Sequence, residues 1–413
     1  MFGTRFLRRL AISLMLVSIL LLGIMATAAA TVEHFFVSRI IAWREADFHD
    51  FEKFPSRPVP AGANEFSFKP APERPPQSLR TVTYRRDAPD PTPRQSMATT
   101  LDSTGGKEVT EPLETFLSDT GTTAFSVIRD DTLLYEKYFN GYDHNSTQTS
   151  FSVAKSFVSA LVGIAIEEGY IGSVEDPITK YIPELREEPG MERITIRHLL
   201  TMSSGLKYSG EGGGGGPFGD DAKTYYDPNP RELALTVEPE VEPGKRWEYN
   251  NYHPLLLGMI LERATDRPVA TYLSQKIWQP LGMEADASWS LDSKKDGFEK
   301  MESGINARAI DSATFGRLYL NRGEWNGKQV MPASWVEEST QVDTTTDPAD
   351  FYQYFWWVDV ARPEPGRFMA RGNYGQFIYV APDKDLVIVR MGESFGYNRW
   401  PELLRSIADK VPS

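Results

Sequence analysis

Thr149-Ser150-Phe151-Ser152-Val153-Ala154-Lys155-Ser156-Phe157 is the stretch whose reading decides the rest of this 413-residue chain. A serine is followed three residues later by a lysine. On a helix, positions i and i+3 share a face, so the Ser152 hydroxyl and the Lys155 amine can meet. A serine hydroxyl needs a neighbour to take its proton as it attacks. Lys155 can do this only as a neutral amine, a form that desolvation or nearby positive potential favours. The flanking residues supply desolvation: Phe151, Val153, Ala154, Phe157, Val158, Leu161, Val162 and Ile164 are apolar nearly all round, which predicts a helix buried on most sides. Ser152 falls in its first turn, where free N–H groups and the positive end of the dipole favour an oxyanion. The pattern alone proves little, because Ser204-Gly205-Leu206-Lys207 also fits it. Ser204, however, ends the pattern Ile196 to Met202 and Gly205 is a helix stop, which puts that serine at the wrong end for stabilising an anion.

Composition narrows the field. The formal charge of −13 leaves no basic stripe with which to replace counterions, so a nucleic-acid partner is excluded. Cysteine is absent, which removes disulfides, thiol nucleophiles and iron–sulfur clusters. The histidines, His34, His49, His144, His198 and His253, show no metal-ligand spacing, so neither a metal nor a cofactor is expected. Arg5, Arg8 and Arg9 precede an uncharged run from Leu10 to Ala30 of about membrane-spanning length. The positive flank places residues 32 onward outside the cytoplasm. Ala26-Thr27-Ala28 resembles a signal-peptidase site, but the run is longer than a usual signal core, which favours an uncleaved membrane anchor over residues 1–31.

Residues 32 to about 55 begin amphipathically and suggest a short interfacial helix. Prolines then crowd from Pro55 to Pro93, which predicts an extended tether over 32–108. A single domain over 109–413 follows. Thr123 to Arg129 and Thr132 to Phe139 read as two strands around a tight Asp130-Asp131 turn. The glycine run Gly212 to Gly216 is followed by no Gly-Lys-Ser/Thr and reads as a surface loop. Pro254 to Ala264, Val269 to Trp278, Ser312 to Leu320 and Pro332 to Glu338 have helical spacing. Tyr352 to Val360, Gly375 to Val380 and Leu386 to Met391 read as strands, and Trp400 to Val411 as a closing amphipathic helix. Strands at both ends with helices between imply an α+β fold whose antiparallel sheet is made by the two termini, with a helical region inserted.

Two further stretches carry chemistry. In Tyr249-Asn250-Asn251, just before a helix, a tyrosine hydroxyl near a lysine can relay protons and an asparagine can bond a substrate carbonyl or the lysine. The bland alternative is a helix N-terminus capped by Asn250 or Asn251. Arg371-Gly372-Asn373-Tyr374-Gly375-Gln376 opens a strand, and a glycine-flanked strand edge lets a substrate lie against backbone and offers an N–H as a second oxyanion donor. Its alternative is an ordinary bulged strand start. Gly392-Glu393-Ser394-Phe395-Gly396 fits the Gly-x-Ser-x-Gly elbow, which needs an acid and then a histidine further on; the last histidine is His253, so that reading fails on chain order.

Taken together, Ser152-Val-Ala-Lys155, Tyr249-Asn-Asn251, Ile196 to Gly205 and Gly304-Ile-Asn-Ala307 resemble the serine hydrolases of the class C β-lactamase and penicillin-binding-protein superfamily. Gly372 to Gln376 is similar to the branch containing 6-aminohexanoate-dimer hydrolase and related carboxylesterases. The likeness spans roughly residues 110 to 405. It implies a β-lactamase/transpeptidase-like α/β/α sandwich with a helical subdomain and an active site between them. It also implies Ser152 as nucleophile, Lys155 as base, Tyr249 as proton relay, the N–H groups of Ser152 and Asn373 as the oxyanion hole, and Asn251 and Gly372 as substrate contacts. The Lys-Thr-Gly of true β-lactamases and peptidoglycan carboxypeptidases is replaced by Ala370-Arg371-Gly372, which weakens both of those activities. The expectation is an exported, membrane-tethered serine hydrolase for small-molecule esters or amides. Its alternatives are a D-alanyl-D-alanine carboxypeptidase or β-lactamase, and a non-catalytic cell-envelope binding protein.

Overall fold

Asp130 and Asp131 both take positive φ, 47° and 54°, the reversal that a two-residue hairpin between twisted strands demands. In the computed structural model, which describes residues 36–210, 216–342, 348–361 and 366–412, they join the strands Thr122–Arg129 and Thr132–Tyr138. This hairpin forms one edge of a seven-stranded antiparallel sheet. From the other edge, the order is Tyr352–Gln353, Trp356–Val358, Phe368–Gly372, Gln376–Ala381, Leu386–Gly392 and then the hairpin. The sheet is therefore made by the two ends of the domain.

Alternation along these strands gives each face its own helix layer. Ile378 and Val387 meet the helix Ala309–Leu320, where Gly316 permits the approach: a Cβ there would lie 2.7 Å from a Val387 methyl and 2.8 Å from an Ile378 methyl. On the opposite face, Phe377 and Arg390 meet Trp400 of the helix Trp400–Lys410. Between the sheet's two parts the chain builds a helical region, in which Ala154–Glu167 packs on Tyr252–Thr265 and Ile196–Leu200 packs on the same helix. The short helix Ile196–Leu200 starts with a reciprocal cap between Thr195 and His198, so that histidine is structural.

A second antiparallel sheet, ordered Ser56–Val59, Ala287–Ser290, Ile305–Ala307, Gln148–Thr149, leads directly into the Ser152 turn. Its outer strand overturns the expectation of a free proline tether. Pro58 pairs with Ser288 on a sheet edge, where a missing N–H is tolerated, while Phe48, Phe54, Val59, Phe68, Leu79, Val82 and Tyr84 are buried. Prolines exclude helix, but the aromatic and branched residues between them decide that the segment packs.

The helix Phe36–Trp43 forms where amphipathic patterning begins, and one face docks: buried Arg39 donates to the Tyr226 carbonyl at 3.2 Å and Trp43 packs edge-on to Phe54. Val37 and Ile41 are exposed. Residues 352–360 are two strands rather than one, reversed at Tyr354 and Phe355 through φ of 37° and 66°, a turn that no glycine, asparagine or proline announces. Among the described residues no helix is long and apolar enough to cross a membrane; the apolar run before residue 31 and most of the glycine run lie outside those residues.

If residues 56–59 are integral to the fold, Val59→Ala removes a fully buried side chain. Urea unfolding is expected to register a loss of about 2 kcal/mol. A change no larger than ~0.5 kcal/mol, as at an unpacked surface site, would contradict the packing.

Candidate active site

The nucleophile turn is hung from the small sheet. Thr149 pairs with Asn306, and the Ser150 N–H donates to the Ile305 carbonyl at 2.8 Å. Phe151 then adopts φ 42°, a strained value for a residue with a side chain, and buries its ring against Tyr374. This sharp corner delivers Ser152 in the 3₁₀ turn Phe151–Val153, immediately ahead of the helix Ala154–Glu167. The Lys155 Nζ lies 3.0 Å from Ser152 Oγ and 3.0 Å from the Glu302 carbonyl oxygen. Lys155 is 1% exposed, whereas Ser152 is half-buried. The amine is thus shielded from water while the hydroxyl stays within reach of a ligand. One N–H committed to the Glu302 carbonyl aims the nitrogen at Ser152.

Glu302 is itself fixed. Its carboxylate pairs with Lys300 at 3.0 Å and accepts from Ser303 Oγ at 2.8 Å, all three groups being buried. Lys300 lies over the rings of Tyr225 and Phe54, 4.0 and 4.5 Å from their centroids. Burial lowers the Lys300 ammonium below its ordinary range despite the neighbouring carboxylate. The support reaches the N-terminal segment, since Asp50 accepts from the Tyr225 hydroxyl at 3.0 Å.

Tyr249 joins the pair: the Lys155 Nζ stands 4.9 Å from its ring centroid, and the ring stacks on Trp357. The Arg371 guanidinium lies over the same Trp357 ring at 5.2 Å, and burial pulls it below its ordinary value. Gly372 packs directly on the nucleophile turn. A Cβ at that position would lie 2.5 Å from the Ser150 carbonyl oxygen and 3.2 Å from the Ser152 nitrogen, so no other residue lets the strand come so close. Asn373 follows at the exposed end of that strand. Asn251 is placed differently from a lysine partner: its amide nitrogen donates to Asp221 at 3.1 Å, and its Oδ1 is buried without a hydrogen bond. The helix start it precedes is capped by Asn250, whose Oδ1 accepts from the Tyr252 N–H at 2.9 Å.

The competing serines are accounted for. Ser204 is buried with its hydroxyl 2.6 Å from His253 Nε2, a serine–histidine contact closed to any ligand. Burial, with Lys155 and His198 nearby, pushes the His253 imidazole down to about 3. Ser394 is exposed at the end of a strand, with its carbonyl bound by Arg390. Sequence reasoning missed Glu302, which acts through its backbone, and Gln376, whose amide ties Asn373 to Gly392. Neither carries a local signature.

An open serine whose hydroxyl meets a buried lysine, beside a strand edge that only glycine can form, fits the Ser-x-x-Lys arrangement of a serine hydrolase. The chain belongs to the beta-lactamase family, whose profile matches residues 111–410. The 6-aminohexanoate-dimer hydrolase of Paenarthrobacter ureafaciens is 27% identical over 315 residues, covering 70% of this chain and 76% of that one. Esterase EstB of Burkholderia gladioli is 34% identical over 143 residues, 32% of this chain and 36% of its own. Among solved structures, "Putative 6-aminohexanoate-dimer hydrolase from Bacillus anthracis" superposes with a TM-score of 0.73 at 26% identity, covering 88% of this chain and 92% of that one. The α/β/α sandwich and the serine hydrolase class expected from the sequence both stand.

His253 gives a pH signature. Its folded value of about 3 lies below the ordinary 6.5, so between those limits the unfolded chain binds the extra proton and stability falls as pH drops. His253→Gln should flatten that part of the stability curve in chemical unfolding at stepped pH; an unchanged slope would show that His253 titrates normally.

Proposed function

We propose that this enzyme cleaves linear esters or amides through an acyl-enzyme on Ser152. The Ser152 Oγ attacks the carbonyl carbon and passes its proton to the Lys155 Nζ, while the carbonyl π pair moves onto oxygen. The N–H groups of Ser152 and Asn373 receive that oxyanion. Collapse expels the alcohol or amine, which takes a proton relayed from Lys155 by Tyr249. Water then repeats the sequence and releases the acid. The 3.0 Å contact between a buried Lys155 and a half-open Ser152 carries this reading. Gly372 and Asn251 are assigned to the substrate.

Ala370 stands where β-lactamases carry the lysine of Lys-Thr-Gly, and the relatives above are named as a 6-aminohexanoate-dimer hydrolase and an esterase. Both favour a simple ester or amide over a β-lactam or a peptidoglycan terminus. The test is turnover of p-nitrophenyl butyrate, a 6-aminohexanoate dimer and nitrocefin in parallel. Hydrolysis of the ester or the dimer without nitrocefin is expected, and a preference for nitrocefin would restore the β-lactamase alternative. Lys155→Ala should lower kcat by about 10³-fold with the fold intact. Near-normal turnover would move the base elsewhere.

The enzyme is further proposed to be exported and held to the membrane by residues 1–31, with its catalytic domain in the periplasm or outside the cell. The arginines at 5, 8 and 9 ahead of the apolar run support this. Alkaline carbonate extraction should leave the full chain in the membrane pellet and release a chain lacking residues 1–31; release of both would contradict an anchor.

A further inference from the structure

Arg390 is a buried cation at the centre of the large sheet that the mechanism above leaves unused. It is fully buried on the strand Leu386–Gly392, and among the described residues no carboxylate pairs with it. Its donors go to neutral oxygens instead. Nη1 donates to the carbonyls of Tyr374 at 3.0 Å and Gly375 at 2.6 Å, Nη2 to those of Thr120 and Ser394 at 2.9 Å each, and Nε to Thr122 Oγ1 at 3.0 Å. All five N–H groups of a guanidinium are thereby used. Burial draws the group down to about 9, which leaves it charged at neutral pH. A buried cation without a counter-ion is expensive to desolvate, and here the hydrogen bonds to five neutral oxygens offset that cost.

Two glycines make room for it. A Cβ at Gly375 would lie 2.1 Å from Arg390 Nη1, and one at Gly392 2.4 Å from the same atom. The Gly392-Glu393-Ser394 stretch that mimics a nucleophile elbow is thus a seat for this guanidinium. What the guanidinium grips is the turn directly after Gly372. Gln376 Nε2 holds the Asn373 carbonyl at 3.2 Å, and Arg390 holds the next two carbonyls. Three consecutive carbonyls are drawn inward by buried donors, on a turn where Tyr374 takes φ 57°. The turn carries Asn373 at the edge of the nucleophile.

We propose that Arg390 is the positioning residue of the oxyanion site: it fixes the Asn373–Gly375 turn and sets a positive charge behind the oxygen that becomes anionic. The inference rests on the reading of Asn373 as an oxyanion donor. Arg390 touches no substrate. It acts through the turn, with its effect confined to the charged tetrahedral state and absent from the neutral ground state.

The experiment measures kcat and KM on p-nitrophenyl butyrate, together with the affinity for phenylboronic acid, whose adduct on Ser152 is a tetrahedral anion. Arg390→Met should lower kcat by about 10²-fold, with KM within about threefold of wild type and boronate affinity falling in step with kcat/KM. Gly392→Ala keeps the charge but displaces the guanidinium, and should lose about tenfold in kcat with the same unchanged KM. Arg390→Lys should recover part of the loss in boronate affinity. If Arg390→Met does not fold, the other two variants carry the test. Folded variants with kcat within about twofold of wild type, or with KM raised while boronate affinity holds, would reduce Arg390 to a structural residue. Wild type inactive on both this ester and the 6-aminohexanoate dimer, or Ser152→Ala with full activity, would instead overturn the nucleophile assignment. An active wild type, an inactive Ser152→Ala and fully active Arg390 and Gly392 variants would overturn the present inference alone.

Discussion

The chemistry of this chain depends on one amine held 3.0 Å from one hydroxyl in a wall that keeps water from the amine. Helical spacing brings Ser152 and Lys155 to one face, but spacing does not orient a lysine with four rotatable bonds. Orientation comes from the Glu302 carbonyl, 147 residues away. That carbonyl lies shortly before the strand Ile305–Ala307, separated from it by Ser303 and Gly304, and the strand pairs with Gln148–Thr149 and so delivers Ser152 as well. One short ladder sets both partners, and the buried Lys300–Glu302 pair stiffens its approach. A displacement of either strand would separate the lysine from the serine, which is how residues far from this pair come to control its geometry.

Opposite the lysine, the strand Phe368–Gly372 closes the site. Gly372 is required by contact rather than by φ: any side chain would collide with the Ser150 carbonyl. The positive potential there has two sources of different kind. The start of the Ala154–Glu167 helix contributes the positive end of its dipole, and the interior contributes the Arg390 charge behind the next turn of backbone. The first is common to helix starts; the second carries the desolvation cost of a buried charge, offset by hydrogen bonds to neutral oxygens.

Local signals made much of this legible in the sequence. The alternation around Asp130-Asp131, the apolar helix behind Ser152, the glycine before Asn373 and the order of motifs pointed to the sheet, the serine–lysine pair and the strand edge. What escaped notice acts over long separations or through backbone. Glu302 contributes a carbonyl, which no residue type announces, and Arg390 reads as one polar position in an apolar strand. The Tyr354–Phe355 reversal is enforced by packing against the local preference of both residues. The proline-rich segment was misread because proline reports what a chain cannot form, and only its buried aromatics report where it goes. Asn251 was placed by its neighbour Asp221, which follows a glycine run and has no motif of its own.

The most direct test of the account is chemical: acid-quench the enzyme during turnover of a slow ester and map the adduct by peptide mass spectrometry. The account predicts an acyl mass on the peptide containing Ser152, absent in Ser152→Ala. An adduct on Ser204 or Ser394, or sustained turnover with no acylated peptide at any time, would contradict it.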